Sequence, residues 1–314
     1  MNLPVIDLDS SHRARTASAL DAAFCDVGFC YLSNCGVDPL LVNNAFAASR
    51  RFHALETAAK AALSINAFHR GYIAPRTSTI RSSSVASVTR PNVSASLMLM
   101  HEVDRSDERY GQPLHGPNQW PDGLPGFREA IDAYEQAMAR LSHRVIDLVA
   151  VALGLGEGAL REYFEAPTTW LRLLHYPSQP ASDPADLFGA APHTDYGIIT
   201  LLAQDQLGGL QVRTRAGQWI DVTPLDNTFV LNVADMLARW TNDRWTSTPH
   251  RVRNVSGHDR YSMAYFWDTS TESVIECLPT CTNAQQPPRY PPVRFGDYVI
   301  ERLERNYAYR NGSV

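Results

Sequence analysis

Two residues whose types could do chemistry, His193 and Asp195, stand at the front of the stretch APHTDYGIITLLAQD (191–205). The remainder, from Ile198 to Leu202, is a β-branched, apolar run of strand length, the composition of a buried strand. Residues i and i+2 of an extended chain point the same way, so this imidazole and carboxylate can converge on one point. A divalent metal completes such an arrangement if a third ligand arrives. His250 in STPHRV is the candidate, because it too lies in a predicted strand. Two imidazoles and one carboxylate leave about three positions of an octahedral ion open, the pattern of a non-haem Fe(II) site rather than of a closed four-ligand zinc site. No cysteine accompanies these residues. Downstream, RYSMAYF places Arg260 and Ser262 at i and i+2, again on one strand face. Facing into a barrel, a guanidinium and a hydroxyl make a receptor for a carboxylate. A buried arginine without an anion is costly, so the pattern anticipates one.

The elements that must position these groups follow from the rest of the chain. Its 314 residues are 44% hydrophobic and 19% charged, values that allow one sizeable core. A net charge of −5 gives no global reason for nucleic acid or an anionic membrane as partner. No apolar run reaches the ~18 residues of a membrane span, and MNLPVIDLDS does not read as a signal peptide. The five cysteines are odd in number and form no C-x-x-C; they read as free thiols in a reducing cytoplasm. LPVIDL and VGFCYLSNCGV read as two strands around an Ala-rich helix near residues 12 to 26. VDPLLVNNAFAASRRFHALETAAKAAL opens as a helix, with Asp38 as N-cap and Pro39 at the first position. Residues 126 to 155 carry an apolar stripe of helical period. Beyond about residue 168, short apolar runs alternate with turn signals, and RAGQW reads as a hairpin turn at Gly217. Such spacing predicts an antiparallel sandwich or barrel, closed by a helix over 296–309. The fold class is therefore mainly β with flanking helices.

The HTD start, the spacing from Asp195 to His250 and the following R-x-S resemble the isopenicillin N synthase-like Fe(II)/2-oxoglutarate dioxygenases. PVIDL, GFCYLSNCGV, GYIAP, HGPNQWP, LRLLHYP, GGLQV and VLNVADML look like that family's landmarks in order, over almost the whole chain. The resemblance implies a double-stranded β-helix (jelly-roll, cupin-like) core in a single domain, 1–314. It would comprise a mainly helical part (1–167), a metal-binding core (168–295) and a C-terminal helix (296–314). It implies that His193, Asp195 and His250 hold Fe(II). Arg260 and Ser262 would bind the distal carboxylate of 2-oxoglutarate, with Tyr176 assisting. Leu174 stands where plant members often carry Asn, a departure that removes one polar contact. Asn232 resembles an asparagine frequently near the metal, or is a strand-end residue. The implied reaction is oxidation, above all hydroxylation, of a C–H bond of a polar small molecule with O2, releasing succinate and CO2. Secondary metabolism is the implied setting.

The segment 76 to 96, RTSTIRSSSVASVTRPNVSAS, is rich in Ser and Thr, carries Arg76, Arg81 and Arg90, and has no acid. It reads as a solvated loop or as a flap over a polar substrate. Its arginines point to a carboxylate-bearing substrate. Tyr72, Arg76, Arg81, Phe266 and Trp267 are the substrate-site candidates; core packing is the competing reading of the aromatics. A monomer or weak homo-oligomer is expected. Three rivals remain: an oxidase or cyclase of this fold that uses no 2-oxoglutarate, an ethylene-forming type of reaction, and a non-catalytic ligand-binding homologue.

Overall fold

A computed structural model describes residues 2–9, 11–80, 83, 85, 88–180, 182–184 and 186–306. The first half supplies strands β1 (Val5–Asp7), β2 (Phe29–Ser33), β3 (Gly71–Ile73) and β4 (Ala95–Met100). It also supplies helices α1 (Arg13–Asp26), α2 (Pro39–His53), α3 (Thr57–Ala61) and α4 (Phe127–Ala152). The second half is mostly strand: β5 (Thr168–Tyr176), β6 (Ala190–His193), β7 (Ile199–Gln204), β8 (Leu210–Arg213), β9 (Trp219–Asp221) and β10 (Phe229–Val233). After α5 (Asp235–Trp240) come β11 (His250–Val252), β12 (Arg260–Asp268), β13 (Val274–Ile275), β14 (Val293–Arg294) and α6 (Phe295–Asn306).

Local chemistry explains the helix starts and turns. The Asp38 carboxylate accepts from Leu40 N at 2.8 Å, capping α2 as its sequence suggests. That helix stops at His53, whose carbonyl accepts from Lys60 Nζ, and the chain resumes as the short α3. Gly217, at φ +82°, makes the turn that pairs β8 with β9.

The strands form an eight-stranded sheet, ordered β1-β2-β10-β7-β12-β5-β4-β3, a four-stranded sheet, β6-β11-β8-β9, and a separate β13-β14 pair. Pairing is antiparallel except between β1 and β2. The two sheets pack through Tyr31, Tyr176, Leu174 and Val230 of the first and Leu210, Val212 and Val252 of the second. This is the jelly-roll arrangement. The outer face of the large sheet is sealed by α1, α2 and α4. There Leu171, Leu173, Leu201, Met263 and Tyr265 join Phe52, Tyr134, Met138 and Leu141 in one buried core.

Strand alternation divides β12 cleanly. Met263, Tyr265 and Trp267 turn to the helices, while Arg260, Ser262, Ala264, Phe266 and Asp268 face a cavity inside the barrel. Strand β5 does the same: Trp170, Arg172, Leu174 and Tyr176 line the cavity. The helical seal thus fixes the sheet, and the alternate residues are free to carry chemistry.

Candidate functional site

The cavity floor is built where β6 meets β11. His193 and His250 are directly opposite each other in that pairing, and their rings lie 4.3 Å apart. His193 Nδ1–H donates to Ala191 O at 2.8 Å and His250 Nδ1–H to Thr248 O at 3.2 Å. Because a carbonyl can only accept, both Nε2 atoms are left as acceptors. They lie 3.8 and 3.7 Å from Asp195 Oδ1. Asp195 Oδ2 is already taken by Thr200 Oγ1 at 2.6 Å and Asn232 Nδ2 at 2.8 Å. One carboxylate oxygen and two imidazole lone pairs therefore converge, all within 4.8 Å of one another. An ion at ordinary bond lengths of ~2.0–2.2 Å from each fits between them.

The electrostatics agree. Burial and the neighbouring His250 imidazole push His193 below its ordinary value, so the ring is neutral, as a ligand must be. Burial alone would raise the Asp195 carboxyl. The positive charge the two imidazoles carry when protonated, with the bonds from Thr200 and Asn232, outweighs it and holds the group below its ordinary value. Hydrogen bonds that orient donor groups in this way accompany most protein metal sites. Asn232 is thus a partner of Asp195 rather than a bystander at a strand end.

A second receptor lies across the cavity. Arg260 is fully buried, and among the described residues no acid lies within ion-pair distance of it. Its guanidinium reaches Ser262 Oγ at 3.4 Å and Gln204 Oε1 at 3.2 Å, and Nε donates to Gly208 O. Tyr176 lies beneath it, ring centroid 4.8 Å from the guanidinium carbon, a cation–π contact. A buried guanidinium held only by neutral acceptors suits an anionic ligand.

Arg172, in the middle of β5, is a third polar group in the cavity. Its Nε donates to Ser96 Oγ at 2.9 Å, and no acid among the described residues pairs with it. Trp170, Met98, Phe266 and, from α6, Val299 and Leu303 complete an apolar wall. The cavity measures about 160 Å3, on the order of ten times what one water needs. A dicarboxylate and a compact second molecule can share it.

Not every residue singled out in the sequence is here. Phe266 lines the cavity. Trp267, its neighbour, points the other way, against His143 and Phe164, because successive strand residues alternate. Tyr72 is buried against Phe52 on the helical side. Arg76 is exposed at φ +64°, and Arg90 pairs with Asp186 at the surface. Arg81 lies outside the described residues. The ends of the 76–96 segment do reach the site: Ser78, Thr79, Ile80, Asn92 and Ser94 line the cavity, and Asn92 Oδ1 accepts from Ala191 N on β6. Sequence reading missed Arg172, Trp170 and Gln204, and expected the C-terminal helix without its place in the cavity wall. For Arg172 a signal existed, since it stands four residues before Tyr176 and shares its face.

Two family profiles match the chain: the 2OG-Fe(II) oxygenase superfamily over residues 167–269, and the N-terminal region of the non-haem dioxygenases, described from morphine synthesis, over 3–123. A 2-oxoglutarate-Fe(II) type oxidoreductase, hxnY, of Emericella nidulans is 37% identical over 83% of this chain and 76% of its own length. Kihadalactone A synthase LFS of Citrus sinensis is 32% identical over 97% and 92%. A full-length Neurospora crassa protein, solved in complex with alpha-KG and thymine, superposes with a TM-score of 0.85, at 31% identity and 96% coverage of both chains.

Proposed function

The chain belongs to the 2OG-Fe(II) oxygenase superfamily, as an oxidoreductase that uses Fe(II), 2-oxoglutarate and O2, and on that premise we propose that His193, Asp195 and His250 are its iron ligands. Arg260 and Ser262 take the distal carboxylate of 2-oxoglutarate, with Tyr176 under the guanidinium. The observation that carries this reading is the geometry: three donor atoms converge on one face, and the buried, acid-free Arg260 shares their cavity.

Ferrous iron with 2-oxoglutarate and O2 supplies an oxidant for C–H bonds, with succinate and CO2 as co-products. The protein's share is binding, orientation and exclusion of water. The Ala191 and Thr248 carbonyls fix both imidazoles as Nε2 donors. Thr200 and Asn232 occupy Asp195 Oδ2, so that Oδ1 alone faces inward. Leu174, Leu202 and Leu303 give the same cavity apolar lining.

The substrate is a small molecule bearing a carboxylate, held by Arg172 and laid along Phe266 and Met98. Hydroxylation is the outcome. The 76–96 segment walls the substrate through Ser78, Asn92 and Ser94. The protein acts as a single domain over 1–314, with the helical part at 1–167, the core at 168–295 and a C-terminal helix from 296, of which 307–314 lie outside the described residues. Five free cysteines suit the cytoplasm, as a monomer or weak homo-oligomer. No described helix is long and apolar enough to cross a membrane, and the modest net charge favours neither nucleic acid nor a membrane surface.

The test is a panel of small carboxylic acids, with thymine as a neutral ring, added anaerobically to the Fe(II)/2-oxoglutarate enzyme while its visible charge-transfer band is followed. A carboxylic acid should shift the band and then be hydroxylated with succinate released. Arg172→Gln should weaken that acid by about tenfold or more, since hydrogen bonds to charged groups contribute ~1.5–3 kcal/mol. A shift with thymine and with no acid would refute the carboxylate assignment.

A further inference from the structure

Asp268 ends β12 on the cavity side, is 3% exposed, and has no cation within ion-pair distance among the described residues. A lone buried carboxylate is expensive, so its contacts must justify it. Oδ1 accepts from Ile198 N at 2.7 Å and Oδ2 from the Trp170 indole N–H at 2.9 Å. Ile198 closes the short loop that begins at Asp195. Trp170 is part of the apolar cavity wall and is not among the converging donors.

The loop between Asp195 and Ile198 is gripped by two elements. Backbone amides of Asp235 and Met236 hold the carbonyls of Asp195, Tyr196 and Gly197. Asp268, on a different element, holds the amide of Ile198. Gly197 is what lets the carboxylate come so close: a Cβ there would sit 1.7 Å from Asp268 Oδ1. The closeness of loop to carboxylate is therefore built into the sequence at both partners.

We propose that Asp268 is a positioning residue that ties the Trp170 wall to the Asp195 loop, so that the indole helps set the metal-ligand geometry without touching a ligand. A carboxylate is suited to this because it accepts from both N–H groups at once. An asparagine in its place has one acceptor oxygen and must leave one of the two donors unpaired. Pressure on the indole from a molecule in the cavity reaches Ile198 through two hydrogen bonds, and Asp195 from there through the short loop between them.

The inference rests on the triad reading, and the test separates the two. Mn(II) is titrated into metal-free protein with 2-oxoglutarate present, for wild type, Asp195→Ala, Asp268→Asn, Trp170→Phe and the double variant Asp268→Asn/Trp170→Phe. Asp195→Ala checks the triad itself. Supporting partners of metal ligands contribute ~10–100-fold in metal affinity, and Asp268→Asn is expected near the lower end. Trp170→Phe keeps a ring in the wall but removes the indole N–H. It should weaken Mn(II) several-fold, and the double variant should be no weaker than Asp268→Asn alone. Thermal melts without metal report folding separately. Wild-type Mn(II) affinity in Trp170→Phe, or fully additive losses in the double variant, would overturn the link. Should Asp268→Asn not fold, Trp170→Phe still decides.

Discussion

The two faces of the large sheet differ more than any two elements of the fold. On the helical face, β5 and β12 present Leu171, Leu173, Met263 and Tyr265, packed and dry. On the barrel face the same two strands present Arg172, Tyr176, Arg260, Ser262 and Asp268. Neighbours one residue apart thus belong to different environments, one of apolar burial and one of polar recognition. Residues on one face should control whether the chain folds, and residues on the other what it binds.

The sharpest break of that contrast is at the metal. Asp195→Ala should reduce 2-oxoglutarate turnover by more than about 100-fold, because even the supporting partners of metal ligands contribute ~10–100-fold; the melting temperature of the metal-free protein should change little. Arg260→Gln should raise the 2-oxoglutarate concentration for half-maximal rate by about 100-fold, within the ~2–5 kcal/mol range for truncating a buried charge partner. The helical face should respond the other way. Leu173→Ala removes a fully buried side chain and should cost ~2–5 kcal/mol of stability, read by denaturant unfolding. The 2-oxoglutarate requirement of the remaining folded enzyme should stay unchanged.

The smallest effect sharpens the comparison by pH. Burial on the helical face pushes His53 down to about 3. The unfolded chain therefore binds a proton near about 6.5 that the folded one refuses. Stability contributed by the neutral ring is present above about 6.5 and is lost as pH falls from there toward 3. Burial raises Glu135, on α4, to about 7. Its contribution is present below its ordinary value and is lost as pH rises through about 7. His53→Gln should flatten the acid limb of melting temperature against pH, leaving the alkaline limb in place.

Much of the barrel face was legible in the sequence because polar residues interrupt runs that are otherwise apolar. His193, Asp195, Arg260 and Ser262 stand out for that reason, and their i, i+2 spacing already assigns them a common face. Parity from Arg260 also separates Phe266 from Trp267; an even step keeps the cavity side and an odd one leaves it. What local pattern does not carry is partnership across the fold. Arg172 owes its place in the site to the register of β5 with β4, which brings Met98 opposite and Ser96 within reach. Tyr72 is decided by Phe52 of a helix some way upstream. The apolar stripe of α6 announces burial but not that its cover is a cavity wall.

The most direct measurement is anaerobic titration of metal-free protein with Fe(II) in the presence of 2-oxoglutarate, following the metal-to-ligand absorption band. One Fe(II) per chain should develop the band in wild type, and His250→Ala should fail to develop it while its melting curve stays cooperative. A full band at one equivalent in His250→Ala would contradict the assignment of that imidazole, brought from a distant strand, as the third ligand.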